Sequence, residues 1–224
     1  MKVMMLAAGL GERLRPLTDR VPKPLVEVGG KPLVAWHLER LAAAGLRDIV
    51  LNVSHLAPAI VERLGDGARF GVSLRYSHEP APLETAGGIA HALPLLGSEP
   101  FLLVNSDIYC EVDFAPLAAA ALGERLAHLV LVPNPAHRPH GDFSLAGGRV
   151  GNGAGPRYTY AGVAVMSPRL VAGVRPGEKA PLAPLLREAA ERRLISGELY
   201  SGLWQDVGTV ERLRELERTL ASRK

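Results

Sequence analysis

Several kinds of functional centre are excluded by what this sequence has little of. It holds one cysteine, Cys110, among 224 residues, so neither an intramolecular disulfide nor a thiolate zinc cluster can form. Free cysteines are commonly interior, and Cys110 is expected to be a small buried residue. Aromatic residues make up only 5%, and the basic residues are interspersed with acids, which is poor material for a base-stacking groove. Nucleic acid is therefore not an expected partner. No apolar run reaches the roughly 18 residues of a membrane span, and the opening "MKVMM" lacks the flanks of a signal peptide. No membrane partner is expected, and a cytoplasmic location is the default. His55, His78, His91 and His128 show no ligand spacing, and Ser106 has no sequence-defined base.

What is present suits a single domain over 1–224. The chain is 47% hydrophobic, enough for a sizeable core, and its formal charge of +3 gives a mild preference for anionic partners. Near-continuous apolar runs at 2–6, 48–54, 101–107 and 128–135 read as strands covered on both faces, with further strands at 72–77 and 159–166. Between them lie helical patterns at 33–45, 57–67, 85–97 and 114–124, with Gly45 and Gly97 as stops. This alternation predicts an α/β fold, a Rossmann-like α/β/α sandwich on a mixed, mostly parallel sheet with ligands at the carboxyl ends of its strands. Residues 134–157 are rich in Gly and Pro and read as short hairpins and loops, before helices at 182–194 and near the C-terminus, the latter capped by Thr209.

The stretch "LAAGLGERLRPLT" (6–18) follows the first strand. It lacks the third glycine of a dinucleotide fingerprint and the Lys-Ser/Thr of a Walker A loop. What remains is a turn able to present N–H groups to phosphate, followed by Arg13 and Arg15 with their forked donors, and Lys23 between prolines in "PKPL". Asp107 ends the strand "FLLVNSD", and Asp206 in "WQDVGT" also precedes a Gly turn. Two carboxylates beside phosphate-binding groups suit Mg²⁺, which keeps few protein ligands and completes its shell with substrate phosphates; a turn or cap role for each Asp is the alternative.

These stretches, with "ETAGGI" (84–89) and "NSD" (105–107), resemble the sugar-1-phosphate nucleotidyltransferase family over essentially the whole chain. "NVSHL" (52–56), "PLETAGGI" (82–89), "HGDF" (140–143) and "YAGVAV" (160–165) are similar to its short bacterial members of peptidoglycan recycling. The resemblance implies a nucleotide part mainly at 1–110 and a sugar part mainly at 111–210. It places Ala7, Ala8 and Gly9 along the nucleotide, Gly11 and Arg13 at its triphosphate, Lys23 at the phosphates in transfer and Gly87 against the base. Asp107 and Asp206 match the magnesium ligands, and Asp142 and Gly162 fall near the sugar. No clear "EKP" segment precedes the sugar site, so Lys179 is only a candidate for the sugar phosphate. No hexapeptide-repeat acetyltransferase arm is expected.

The implied reaction joins UTP or another nucleoside triphosphate to a sugar-1-phosphate, N-acetylmuramate-1-phosphate on the nearest resemblance, with release of pyrophosphate. Guanylyl or thymidylyl transfer to another hexose phosphate is the alternative, and monomer and homodimer are both open. A silent nucleotide-binding regulator would not need Arg13, Lys23, Asp107 and Asp206 together. A glycosyltransferase would need a closer Asp pair than Asp107 and Asp113.

Overall fold

The computed structural model describes residues 1–223. The first half runs β1 (Val3–Leu6), β2 (Glu27–Val28), β3 (Lys31–Pro32), α1 (Leu33–Ala43), β4 (Asp48–Val53), α2 (Ala57–Leu64), β5 (Ser73–His78), α3 (Glu84–Leu96), β6 (Phe101–Asn105) and β7 (Ile108–Cys110). The second runs α4 (Phe114–Ala118), β8 (Ala127–Val132), β9 (Phe143–Ala146), β10 (Arg149–Gly151), β11 (Arg157–Met166), α5 (Leu182–Glu191), β12 (Ile195–Leu199), β13 (Trp204–Asp206) and α6 (Val210–Ala221).

Nine strands form one sheet in the order β5-β4-β1-β6-β11-β8-β12-β10-β9. The β5-β4-β1-β6 side is wholly parallel, as its continuous apolar runs predict, because helices cover both faces. Alternate residues divide between those faces. Val3 and Met5 pack with Val34, Leu38 and Ile60 from α1 and α2, while Met4 packs with Ala86, Ile89 and Leu186 from α3 and α5.

Beyond β6 the sheet departs from an open sandwich. Strand β11 enters antiparallel to both β6 and β8, and β9 returns to pair with β11, so the far end closes on itself as a small barrel. β11 is also longer than its apolar run, because Arg157 and Tyr158 pair with Ser144 and Phe143 of the Gly-rich segment. Its register shifts between Tyr160 and Ala164, where Gly162 adopts φ +78°. Helix α4 is shorter than its alanine-rich pattern predicts, ending at Ala118, since Leu122 is buried and Gly123 turns the chain toward β8. A two-stranded ribbon of β7 and β13 stands at the carboxyl end of β6. Helix α6 braces it by packing Leu213, Leu216 and Leu220 with Tyr109 and Val207. No helix among the described residues is long and apolar enough to cross a membrane.

Candidate active site

The turn after β1 is shaped by its glycines. Gly11 sits at φ +66°, and its carbonyl accepts from Leu14 N at 2.8 Å and Thr18 Oγ1 at 2.8 Å. A Cβ on Gly11 would lie 2.9 Å from Thr18 Cγ2, so only glycine permits this close approach. Gly9 has open space before it, and with Ala7, Ala8, Gly11, Arg13 and Lys23 it lines a cavity of about 500 Å³.

A buried polar chain fixes the floor of this cavity. Ala7 N donates to Asn52 Oδ1 at 2.7 Å, Asn52 Nδ2 donates to Glu79 Oε1 at 2.6 Å, and Leu83 N donates to Glu79 Oε2 at 2.9 Å. The ends of β1, β4 and β5 and the start of α3 are thereby locked together, with every oxygen of the Glu79 carboxylate engaged. Asn52 opens the "NVSHL" stretch but was given no role, and Glu79 lies in no motif. Their signal was one asparagine near the carboxyl end of an otherwise apolar strand and one acid just beyond the end of the next.

Gly87 does not line either cavity described here. It is buried against the segment before α5, where a Cβ would come within 2.2 Å of Glu178 O, and Gly87 N donates to Ala180 O at 3.1 Å. The adjacent Gly88 leaves room for Glu79 and Asn52 in the same way. The paired glycines therefore serve the packing of α3 on both sides.

Asp107 lies in the turn between β6 and β7, just past the strand that the sequence assigns to it, and Asp206 ends β13. Pairing of β7 with β13 sets Asp206 opposite Ile108, and Val207 N donates to Asp107 O at 2.8 Å. The two carboxylates, separated by 98 intervening residues in the chain, thus emerge from one ribbon. Lys23 Nζ is 2.6 Å from Asp107 Oδ2, while Arg212 Nη1 lies 2.9 Å from Asp206 Oδ2 and His137 Nε2 3.0 Å from Oδ1. His137 and Arg212 carried no motif, and the fold alone brings them here.

Below the ribbon, His37 Nε2–H donates to Ile108 O at 2.7 Å, and burial lowers its pKa to about 4. Burial likewise pushes the Cys110 thiol up to about 11, which keeps it protonated and chemically quiet. Ser106 Oγ donates to Leu6 O at 2.6 Å, tying β6 to β1.

A second cavity, of about 430 Å³, opens toward β11 and α5. Asp142, Tyr160, Gly162, Trp204 and Asp206 line it, and it shares Arg13, Glu84, Thr85, Asn105 and Asp107 with the first. Asp142 Oδ2 accepts from Tyr160 N at 2.9 Å and lies 3.4 Å from Arg138 Nη1. The φ of Gly162 brings its backbone against Asn105, with a Cβ position only 2.9 Å from Asn105 Cγ. Trp204 Nε1 donates to Ala161 O at 2.8 Å, so the indole both packs and forms wall. Lys179 is 3.6 Å from Glu84 Oε1 and is mostly exposed, outside both linings. Glu84, at φ +60°, holds a left-handed conformation that a non-glycine residue rarely adopts, at the wall between the cavities.

The two cavities adjoin along a wall that carries Arg13, Glu84 and Asp107. A family model described as nucleotidyl transferase matches residues 2–143. The chain belongs to that family. It is 50% identical over 224 residues to an N-acetylmuramate alpha-1-phosphate uridylyltransferase of Neisseria meningitidis serogroup B, covering 97% of each chain. It is 47% identical over 122 residues to a mannose-1-phosphate guanyltransferase of Schizosaccharomyces pombe, covering 53% of this chain and 34% of that one. Among solved structures, HddC from Yersinia pseudotuberculosis in complex with GMP-PN superposes with a TM-score of 0.78 at 21% identity, covering 97% of this chain and 98% of that one. A Bacillus anthracis chain in complex with a sucrose reaches 0.87 at 20% identity, covering 98% and 95%. The structural likenesses establish the fold.

Proposed function

We propose that this nucleotidyltransferase transfers a uridylyl group from UTP to N-acetylmuramate α-1-phosphate, releasing pyrophosphate. The observation that carries the choice of substrates is the 50% identity extending over 97% of both chains, whereas the guanyltransferase likeness is either limited to about half of this chain or falls to 32% identity where it spans 93% of it. The nucleotide falls to the cavity built mainly from residues 1–110, along Ala7, Ala8, Gly9 and Gly11, and the sugar to the one built mainly from 111–210, with Asp142 and Gly162.

The attacking oxygen of a sugar-1-phosphate is already anionic, so no general base is required. The barrier lies in bringing two polyanions together and holding oxygen, α-phosphorus and leaving oxygen in line. The shared wall suits that task. Arg13 lines both cavities, where its guanidinium fork meets charge that develops as pyrophosphate departs. Lys23 holds Asp107 and adds a second cation beside the transferring phosphate.

Asp107 and Asp206 fit a divalent cation, with Mg²⁺ the choice their oxygen chemistry favours. Asp206 Oδ1 is buried without a hydrogen bond, its neighbour His137 being close but misaligned, and the two carboxylates share one ribbon. Among the described residues no three His, Cys, Asp or Glu side chains gather as a complete protein-made metal cage. A pair is what magnesium needs when phosphates supply the remaining ligands. When bound there, the ion would neutralise charge between the two substrates. The substrate test is a crossed assay of pyrophosphate release with UTP, GTP and dTTP against several sugar-1-phosphates. Preference for a pair other than UTP and N-acetylmuramate α-1-phosphate overturns the reading.

A further inference from the structure

The charges around the second cavity leave one arginine without an assigned task. Four carboxylates line it, and each already has a cation. Glu84 lies near Lys179 at 3.6 Å, Asp107 near Lys23 at 2.6 Å, Asp142 near Arg138 at 3.4 Å and Asp206 near Arg212 at 2.9 Å. Of the three guanidinium groups on its wall, Arg138 is used in this pairing. Arg13 and Arg187 have no ion pair among the described residues. Arg13 also lines the nucleotide cavity, which puts it where the phosphates meet. Arg187 lines the sugar cavity alone. It projects from α5 beside Ala183 and Leu186, and its backbone is held by Asn152 Nδ2 donating to Arg187 O at 2.8 Å.

A sugar-1-phosphate bearing a lactyl ether brings two anionic groups, a phosphate and a carboxylate. The wall offers two uncompensated cations, one at the phosphate end and one away from it. We infer that Arg187 receives the lactyl carboxylate of the sugar substrate and so selects it over the same sugar without that group. This rests on the substrate reading above and adds the residue that enforces it. An arginine suits the task because its planar fork matches both carboxylate oxygens, and Ala183 and Leu186 give the lactyl methyl an apolar neighbour.

The test compares kcat/KM for N-acetylmuramate α-1-phosphate, its neutral lactyl amide and N-acetylglucosamine α-1-phosphate, in wild type, Arg187→Ala and Arg187→Lys. Wild type should favour the carboxylate over the amide. Arg187→Ala should lower that preference roughly ten- to hundredfold, with Arg187→Lys recovering part of it and the KM for UTP unmoved. Thermal melts should agree within error, since Arg187 is exposed. Wild-type preference for N-acetylmuramate phosphate with the same ratios in Arg187→Ala overturns the role of Arg187 alone. A wild type that does not use N-acetylmuramate phosphate overturns the substrate reading and the inference together.

Discussion

The two sides of the cleft are built by different means. On the side we propose for the nucleotide, four parallel strands end in one line, and the contacts they offer come largely from backbone: the Gly9–Gly11 turn and amides anchored through Asn52 and Glu79. On the side we propose for the sugar, mostly antiparallel strands fold back on one another and offer side chains from distant segments, among them Arg138, Asp142, Tyr160 and Arg187. A phosphate chain is common to every nucleotide and can be read by main-chain geometry. A particular sugar needs particular side chains, and those can change without disturbing the parallel half.

The largest effect should come from the ribbon that joins the two sides. Asp107→Asn and Asp206→Asn are each expected to cut kcat/KM roughly a thousandfold or more, about 4 kcal/mol, in a protein that still folds but melts lower, because Lys23 and Arg212 each lose a charged partner. Magnesium titration of activity would check the cause, because weakened coordination raises the concentration required. Near-normal turnover in both variants would remove the carboxylates from the mechanism. Next in size, Arg13→Ala should lose about 2 to 4 kcal/mol of transition-state stabilisation, and Arg13→Lys should restore part of it. Equal losses of activity and folding stability would make Arg13 a structural residue.

The two sides also differ in how far they could be read from the chain. Continuous apolar strands, glycine stops and the first loop are local signals, and the parallel half follows them closely, with β1, β4, β5 and β6 all near their expected places. Asp107 and Asp206 stood out in the chain because the first ends a strand-like run and the second precedes a Gly turn, and the fold sets both at one ribbon. The closure of β9 onto β11 was not, since Arg157 and Tyr158 follow a Gly-rich stretch and become strand only through a long-range partner. His137, Arg212 and Arg187 have no local mark at all. Gly87 has two readings: its setting in "ETAGGI" carries a family role at the base, while its nearest neighbours are the backbone of Glu178 and Ala180.

An acid-sensitive contact beneath the ribbon gives the third prediction. His37 is fully buried, its Nδ1 has no partner, Arg40 disfavours its charged form and Asp107 favours it, and desolvation outweighs the rest. Its pKa falls from 6.5 to about 4 on folding, so the unfolded chain binds the extra proton between those values. The neutral imidazole's stabilising share is therefore complete above pH 6.5 and is lost as pH falls toward 4. The full loss is about 3 kcal/mol, with about 2 kcal/mol gone between pH 7 and pH 5. Denaturant melts across that range should show a slope that shrinks in His37→Gln. An unchanged slope would assign the acid sensitivity elsewhere.

The smallest expected effect tests where the two sides meet. Replacing Gly87 by Ala removes a flexible residue from α3, which favours the helix by up to about 1 kcal/mol. The added Cβ, however, would stand 2.2 Å from Glu178 O and 3.1 Å from Ala180 N, both backbone atoms that cannot rotate aside. Overpacking of this kind costs about 1 to 3 kcal/mol, so a net loss of about 1 kcal/mol is expected in a denaturant melt. The chain that must yield leads directly into Pro181 and Leu182, which line the second cavity, proposed for the sugar, and not the first. Gly87→Ala should therefore raise the KM for the sugar phosphate a few-fold and leave that for UTP within error. If Gly87 instead lies against the base, as the motif around it suggests, the KM for UTP would rise and that for the sugar would not. The ratio of the two KM changes decides whether this glycine belongs to the nucleotide side or to the seam.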